Sequence, residues 1–286
     1  MTRLSLVLVA IVGLLAGALG STLLRPVPVT LGNDDIRAVV AEAIAADKAM
    51  GGAAIDPAKL NPLIETYLLD NPKIIDQVNA KLQSIKVAEA RAAQKATIDA
   101  HYADIYQQPD TIVLGNPKGD VTLVEMFDYN CSYCRGALPD LASLMAEDPN
   151  LKVILKEFPI LTAGSVDAAR VAVLVSQDPK INYWDFHQKL FAVRGEVGAA
   201  QALQVAEDLG GNRVEMMVDM NGRKASDPIQ KSYDLAKALN ISGTPTYILG
   251  DELIPGALPI DQLRAKIANL RACGSTICPA QLAPAG

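Results

Sequence analysis

Cys131 and Cys134 stand two residues apart, just past an apolar run, Val121-Thr-Leu-Val-Glu-Met-Phe127, that Asp128-Tyr129-Asn130 interrupts. Arg135-Gly-Ala-Leu-Pro-Asp-Leu-Ala-Ser-Leu-Met145 follows and reads as a helix. A cysteine at a helix start meets unpaired backbone N–H groups and the positive end of the helix dipole. Both favour the thiolate, the species that attacks disulfides. Strand–CxxC–helix order therefore predicts thiol–disulfide exchange. Metal binding is the bland alternative, since a CxxC can be half of a zinc site and Cys273-Gly-Ser-Thr-Ile-Cys278 offers a second pair. The first pair, however, follows a buried strand rather than a knuckle turn, and the second lies far away near a proline-containing tail. Redox chemistry is the preferred assignment.

Other residues carry weaker signals. Glu125 is a carboxylate in the same apolar strand. Burial would raise its pKa and fit it to relay a proton to or from Cys134; an edge residue facing solvent is the alternative. Cys273 and Cys278 can close a small loop as a structural disulfide, which is favoured over a second redox pair. His101 and His187 are the only two histidines and lie far apart, so they read as ordinary helix residues and no metal site is expected. Tyr129, Phe158 and Trp184 read as core or groove aromatics, and Lys156 as a solvated strand end.

Holding such residues in place takes a sheet with covering helices. At 286 residues and 50% hydrophobic the chain can bury a full core with an accessory segment to spare. A net charge of −6 and the lack of a Lys/Arg-rich run argue against nucleic-acid binding. Arg3 precedes an uncharged stretch, Leu4 to Leu24, that Arg25-Pro26 closes. Residues 1–25 can be a secretory signal, with Ala16-Gly17-Ala18 as cleavage site, or an uncleaved anchor, which the length slightly favours. Either assignment places the remainder in an oxidising compartment, the periplasm, where disulfides persist. No cysteine precedes Cys131, which argues against a lipoprotein.

Residues 26–109 read as a linker and helices: Ile36 to about Lys48, Leu63 to Leu69, then a long helix opened by Asn71-Pro72 and reaching about Tyr106. Ile74, Ile75, Val78, Leu82 and Ile85 mark one narrow face of it. A face like that cannot form its own core, so it lies on the catalytic domain or pairs with copies of itself; a homo-oligomer through residues 34–106 is one expectation. From residue 110 the pattern is α/β. Strands are expected at Thr111–Leu114, Val121–Phe127, Leu151–Phe158, Thr246–Leu249 and around Leu253-Ile254. Helices are expected from Ser132 to about Glu147, from Ser165 to about Leu239 with breaks that include Asp227-Pro228, and from Ile260 to about Ala272. Residues 273–286 form a tail with the second cysteine pair.

Strand–CxxC–helix, the distant Gly243-Thr244-Pro245-Thr246, a hairpin and a final helix together resemble the thioredoxin fold. Residues 135–244 make an interval too long for thioredoxin itself. A helical subdomain inserted at about 162–240 accounts for it, an arrangement similar to the DsbA-like thiol–disulfide oxidoreductases. Phe127-Asp-Tyr-Asn-Cys131-Ser-Tyr-Cys134, Lys156-Glu-Phe-Pro-Ile-Leu161 and Tyr67-Leu-Leu-Asp-Asn-Pro72 resemble the Com1-like branch, which includes the suppressor-of-copper-sensitivity C (ScsC) proteins. The resemblance spans about residues 60–272.

It implies an α/β thioredoxin fold over residues 110–272, preceded by an N-terminal helical segment. Cys131 is then the exposed nucleophile that forms the mixed disulfide, and Cys134 the less accessible thiol that resolves it. Ser132 and Tyr133 tune the thiolate. Thr244-Pro245 looks like a cis-proline loop that binds extended polypeptide, against an ordinary trans turn proline. No cofactor is implied. The implied substrates are unfolded or misoxidised exported proteins, with a membrane redox partner to restore the active state. Ser132-Tyr133 and Thr244 lean towards a disulfide isomerase or reductase over a dithiol oxidase. A carrier holding Cu(I) on the Cys131 and Cys134 thiolates is the competing class.

Overall fold

The computed structural model describes residues 57–109 and 111–278. The signal or anchor at 1–25, the linker and the helix Ile36–Lys48 expected from sequence lie outside the described residues. Among those described, no helix is long and apolar enough to cross a membrane. The chain divides into two compact units at Val78/Asn79, so the second half of the long helix belongs with the CxxC unit rather than with the amino-terminal segment.

In the first unit, α1 (Pro57–Asp70) is longer than the expected Leu63–Leu69 and runs through Pro62. Pro57 takes the first helical position, where a missing N–H costs nothing, so the earlier proline marks the start. Asn71 ends α1 by donating both its backbone N–H (3.0 Å) and its side-chain amide (2.9 Å) to the Tyr67 carbonyl. The next helix, α2 (Lys73–Ala100), then begins. Leu63, Ile64, Tyr67, Leu69, Ile75 and Val78 are all exposed here.

The second unit is built on one five-stranded sheet of order β1-β3-β2-β4-β5. Its strands are β1 (Ile112–Gly115), β2 (Val121–Phe127), β3 (Leu151–Glu157), β4 (Thr246–Leu249) and β5 (Glu252–Pro255). Only β2 and β3 pair in parallel, Val121 opposite Leu151 through Phe127 opposite Glu157. A parallel pair needs a crossover, and α4 (Ser132–Glu147) supplies it. β2 is buried nearly throughout, as expected of a strand with both faces covered. Alternation puts Leu123, Glu125 and Phe127 on one face and Val124 and Met126 on the other. Val124 packs with Ile154, Ile248 and the helix residues Ile98 and Ile105; Leu123 and Phe127 pack in the main core with Cys134, Leu141 and Leu144 of α4.

Five helices lie between β3 and β4: α5 (Ala163–Ser176), α6 (Tyr183–Ala192), α7 (Ala199–Asp208), α8 (Arg213–Asp219) and α9 (Arg223–Ala238). Three of the starts carry side-chain caps: Thr162 accepts from the Ser165 N–H, and Asn182 and Asn212 cap α6 and α8. The break expected at Asp227-Pro228 does not occur. α9 runs through Pro228, with Ala225 and Ile229 buried to either side of it. A closing helix, α10 (Ile260–Cys273), ends at Gly274 with φ +74°, the left-handed cap that glycine takes without strain.

The long helix also stops short of Tyr106. α2 ends at Ala100, and α3 (Tyr102–Tyr106) follows after a break at His101, whose backbone leaves the helical range (φ −106°, ψ 20°); Ile98 and Ile105 are both buried in the same cluster. Lys156 corrects the expectation of a solvated strand end, being only 5% exposed. Its ammonium donates to the Asp104 carbonyl of α3 (3.0 Å) and to Gln108 Oε1 (3.4 Å). Desolvation there lowers its pKa to about 8.

Candidate active site

Cys131 is the N-cap of α4, with extended backbone (φ −80°, ψ 116°), and its Sγ accepts the Cys134 N–H at 3.4 Å. Ser132, Tyr133 and Cys134 fill the first turn, so the sulfur faces the orphan N–H groups that the sequence order predicts. Ser132 and Tyr133 are exposed, Tyr133 by 70%. Both cysteines are free thiols. Across from them the Thr244–Pro245 peptide is cis, and the Cys131 thiol donates to the Thr244 carbonyl at 3.2 Å. That contact corrects one expectation. Cys131 is not exposed: it retains 4% accessibility beside 2% for Cys134, because the Thr244 loop closes over its sulfur.

The two thiols differ in acidity instead. A hydrogen bond from the Cys134 thiol lowers the Cys131 pKa to about 6 against the opposing effect of burial. Thr244 and the backbone N–H groups of Cys134 and Tyr133 add to the lowering. The Thr244 hydroxyl is buried and has no acceptor or donor partner in the thiol state, so it is free to donate to a thiolate. Cys134 moves the other way: burial, the bond it gives to Cys131 and the nearby Glu125 charge push its thiol far up. Only one of the pair ionises near neutrality.

Glu125 is buried, not at a solvent edge; in the middle of β2 it lies opposite Leu155 and Tyr247. Burial first, and the Cys131 charge second, raise its pKa to about 8. The Cys273–Cys278 disulfide forms as expected. β4 runs antiparallel to β2, with Thr246 opposite Met126 and Leu249 opposite Leu123. The loop that the disulfide closes is bonded to Asp251, just past Leu249, at the end of the sheet away from the CxxC.

The residues missed from sequence are those that brace the motif. Asp128 is fully buried. It accepts from the Asn130 N–H (2.8 Å), the Ile160 N–H (2.8 Å) and the Leu161 N–H (3.0 Å), tying the loop after β3 to the CxxC. Asn130 donates its side-chain amide to Ser165 Oγ (2.9 Å) and the Val197 carbonyl (2.9 Å), and accepts the Val197 N–H (2.7 Å). Below them Tyr129 meets His187 Nδ1 (3.0 Å) and Tyr183 (3.1 Å), and Tyr183 donates to Glu157 Oε1 (3.1 Å). Desolvation lowers His187 to about 3 and holds Glu157 well above the usual carboxylate range, so both are neutral. Asp128-Tyr129-Asn130 reads locally as a strand-ending turn; its long-range partners leave no mark there.

Residues 122–268 match the DSBA-like thioredoxin domain. The chain belongs to that family. A thioredoxin-like oxidoreductase from Silicibacter pomeroyi is similar at 36% identity and TM-score 0.57, covering 60% of this chain and 98% of its own. The thiol-disulfide exchange protein alpha-DsbA2 from Wolbachia pipientis follows at 28%, TM-score 0.59, with 64% and 98% covered. A linker-deletion variant of Proteus mirabilis ScsC shares the fold at 23% identity, TM-score 0.59, with 77% and 98% covered. Among curated proteins the chain matches a Na(+)/H(+) antiporter, NhaA 1, of Salinispora arenicola at 24% identity over 225 residues, covering 78% of this chain. The chain spans about a third of the length of that relative and of a second Salinispora antiporter (34% and 36%).

Proposed function

We propose that this chain is an extracytoplasmic thiol–disulfide oxidoreductase that exchanges disulfides with unfolded or misoxidised exported polypeptides, working as an isomerase or reductase. The observation that carries the reading is the placement of Cys131 as N-cap of α4, its Sγ accepting the Cys134 N–H (3.4 Å) and facing the cis Thr244–Pro245 peptide. The two thiols are thereby set apart in acidity, Cys131 lowered to about 6 and Cys134 pushed far up. Cys131 thiolate attacks a substrate disulfide, forming a mixed disulfide and releasing the second substrate sulfur as a thiolate. Cys134 then attacks Cys131 Sγ and frees the substrate in reduced form, unless another substrate thiolate first attacks the substrate sulfur of the mixed disulfide, forming a new substrate disulfide and releasing Cys131 as a thiolate. Cys134 must lose a proton for its attack. Once Cys131 is neutral in the mixed disulfide, the smaller of the two effects that raise the Glu125 pKa is gone, so its carboxylate forms more readily, against the burial that remains, and can accept the proton of Cys134.

The moderate thiolate is what supports isomerase or reductase over oxidase. Strongly oxidising members of this chemistry hold the attacking thiol near a pKa of ~3.5 and reducing ones near ~7. The isomerase reading needs a membrane partner that keeps the pair reduced, and a periplasmic address. Residues 34–106 are proposed to pair copies of the chain, supported by the exposed apolar residues of α1 and the start of α2.

Refolding of scrambled ribonuclease tests the function. Recovery of activity that disappears in Cys131→Ala is the expected result; stoichiometric Cu(I) uptake with no refolding activity would replace the enzyme with a copper carrier. A reduction potential of ~−180 mV or lower is expected for the pair, and a value near ~−120 mV would make it an oxidase.

A further inference from the structure

The second cysteine pair is part of a cluster that disulfide exchange does not use. Gly274 turns the chain out of α10, and the Cys273–Cys278 bond closes the loop that follows. Inside this loop, Ser275 Oγ (2.6 Å), the Thr276 N–H (2.9 Å) and Thr276 Oγ1 (3.1 Å) all donate to the carboxylate of Asp251, in the β4–β5 turn. The Thr276 carbonyl accepts from Asn269 of α10 (2.9 Å), and Thr276 is 1% exposed. Burial pushes the Asp251 carboxyl up, but these bonds outweigh it and hold it below its ordinary value, so the loop closes on an anion.

Arg91 of α2 completes the cluster. Its Nη2 reaches Asp251 Oδ2 (3.4 Å), Ser275 Oγ (3.3 Å) and Thr276 Oγ1 (3.3 Å). From Asn79 to Ala90 every residue of α2 is exposed, and Arg91 is the first that is not. Ile98 is the only residue of α2 that is fully buried. The place where this helix first grips the unit is therefore built by the disulfide loop.

We propose that the Cys273–Cys278 disulfide is a redox-sensitive latch that fixes the Arg91 segment of α2 to the β4–β5 turn. The loop it closes is short, so the constraint it puts on the unfolded chain is small; its effect lies in holding Ser275 and Thr276 where Asp251 and Arg91 need them. Cys273 is exposed and Cys278 partly covered, so a dithiol reductant attacks Cys273 Sγ. The S–S bond breaks, and Cys278 leaves as a thiolate and takes a proton. The reductant's second thiolate then closes its own disulfide and releases Cys273, which is protonated in turn. The latch gains two electrons and two protons, and the reductant loses them. Ser275 and Thr276 are then no longer held, and α2 keeps its firm hold only from Ile98 onwards.

Hydrogen exchange on the full chain tests this. In a Cys131→Ser/Cys134→Ser background, dithiothreitol acts only on the latch. Amides of residues 91–97 are expected to exchange on the order of tenfold faster on reduction, while β2 amides stay protected. Cys273→Ser/Cys278→Ser should match this without reductant. Arg91→Ala should speed the same amides although alanine favours helix, and should add nothing once the disulfide is gone. Unchanged exchange at 91–97, a rise that spreads to β2, or full additivity with Arg91→Ala would each overturn the latch.

Discussion

At the scale of single residues, the site works by giving neighbouring groups opposite acidities. Cys131 is lowered from the ordinary thiol range to about 6, so its alkylation rate should follow a titration with a midpoint near 6. A midpoint above 8 would remove the nucleophile. Thr244→Val deletes the hydroxyl that stabilises the thiolate and should move that midpoint upward. Glu125 titrates in the opposite sense. Its pKa rises from 4.5 to about 8 on folding, so between those pH values the folded state holds a proton that the unfolded state has lost. Stability contributed by this group falls as pH rises through that window. Glu125→Gln should therefore gain stability over the parent as pH goes from 5 to 8, in denaturant titrations of the reduced protein, and should slow resolution of the mixed disulfide in stopped-flow exchange. Cys131, Cys134, Glu125 and Pro245 were legible because each is an unusual residue for its local pattern. The covering of Cys131 was not, since the carbonyl over it comes from Thr244, remote in sequence, and no local pattern records that approach.

Among the elements, the strands and the active-site helix follow from pattern. β2 and α4 fall where the apolar run and the helix period put them, because their burial repeats locally. Prolines misled in two places. Pro62 and Pro228 each sit inside a helix that continues through them. At Pro228 tertiary packing of Ala225 and Ile229 overrides a breaker's preference, whereas the residues around Pro62 are exposed and no packing accounts for it. Lys156 misled for a related reason: a charged residue at a strand end reads as solvated until α3 folds over it. The helical insertion is locked to the CxxC loop mainly by Asn130. Its carbonyl and amide serve Val197, Ser165 and Thr162, so Asn130→Ala strands at least one backbone N–H and one carbonyl at Val197. A loss of about 1–3 kcal/mol in chemical denaturation is expected. The sharper expectation concerns exchange kinetics: the variant should loosen the start of α5 and the Val197 turn while leaving the Cys131 alkylation midpoint in place. A shift of that midpoint with unchanged protection at Val197 would show that Asn130 acts on the thiol and not on the insertion.

For the molecule as a whole, the two units face opposite problems. The CxxC unit buries a continuous core on both faces of its sheet. The amino-terminal unit leaves Leu63, Ile64, Tyr67, Leu69, Ile75 and Val78 in water, around a groove of about 750 Å³ lined by Ile64, Leu68, Leu69, Pro72 and Ile75. Contiguous apolar surface of this kind on a helix pair is stabilised by covering it, at ~25 cal/mol for each Å² removed from water. A second copy presents the same face at the same concentration, and symmetric pairing covers both at once. Light scattering on the full chain should then give a mass above that of one chain. Leu63→Glu with Leu69→Glu should return it to a monomer, because a charge buried in a helix–helix seam costs more than the seam gains. The variant's Cys131 alkylation midpoint should not move, since the CxxC unit keeps its own core. If the parent and the double variant both run as monomers, the apolar face has another occupant and self-association is wrong. If the mass falls but refolding of scrambled ribonuclease is unchanged, the assembly is real and each copy works alone; a joint loss would mean that substrate shuffling needs several CxxC sites held on one particle.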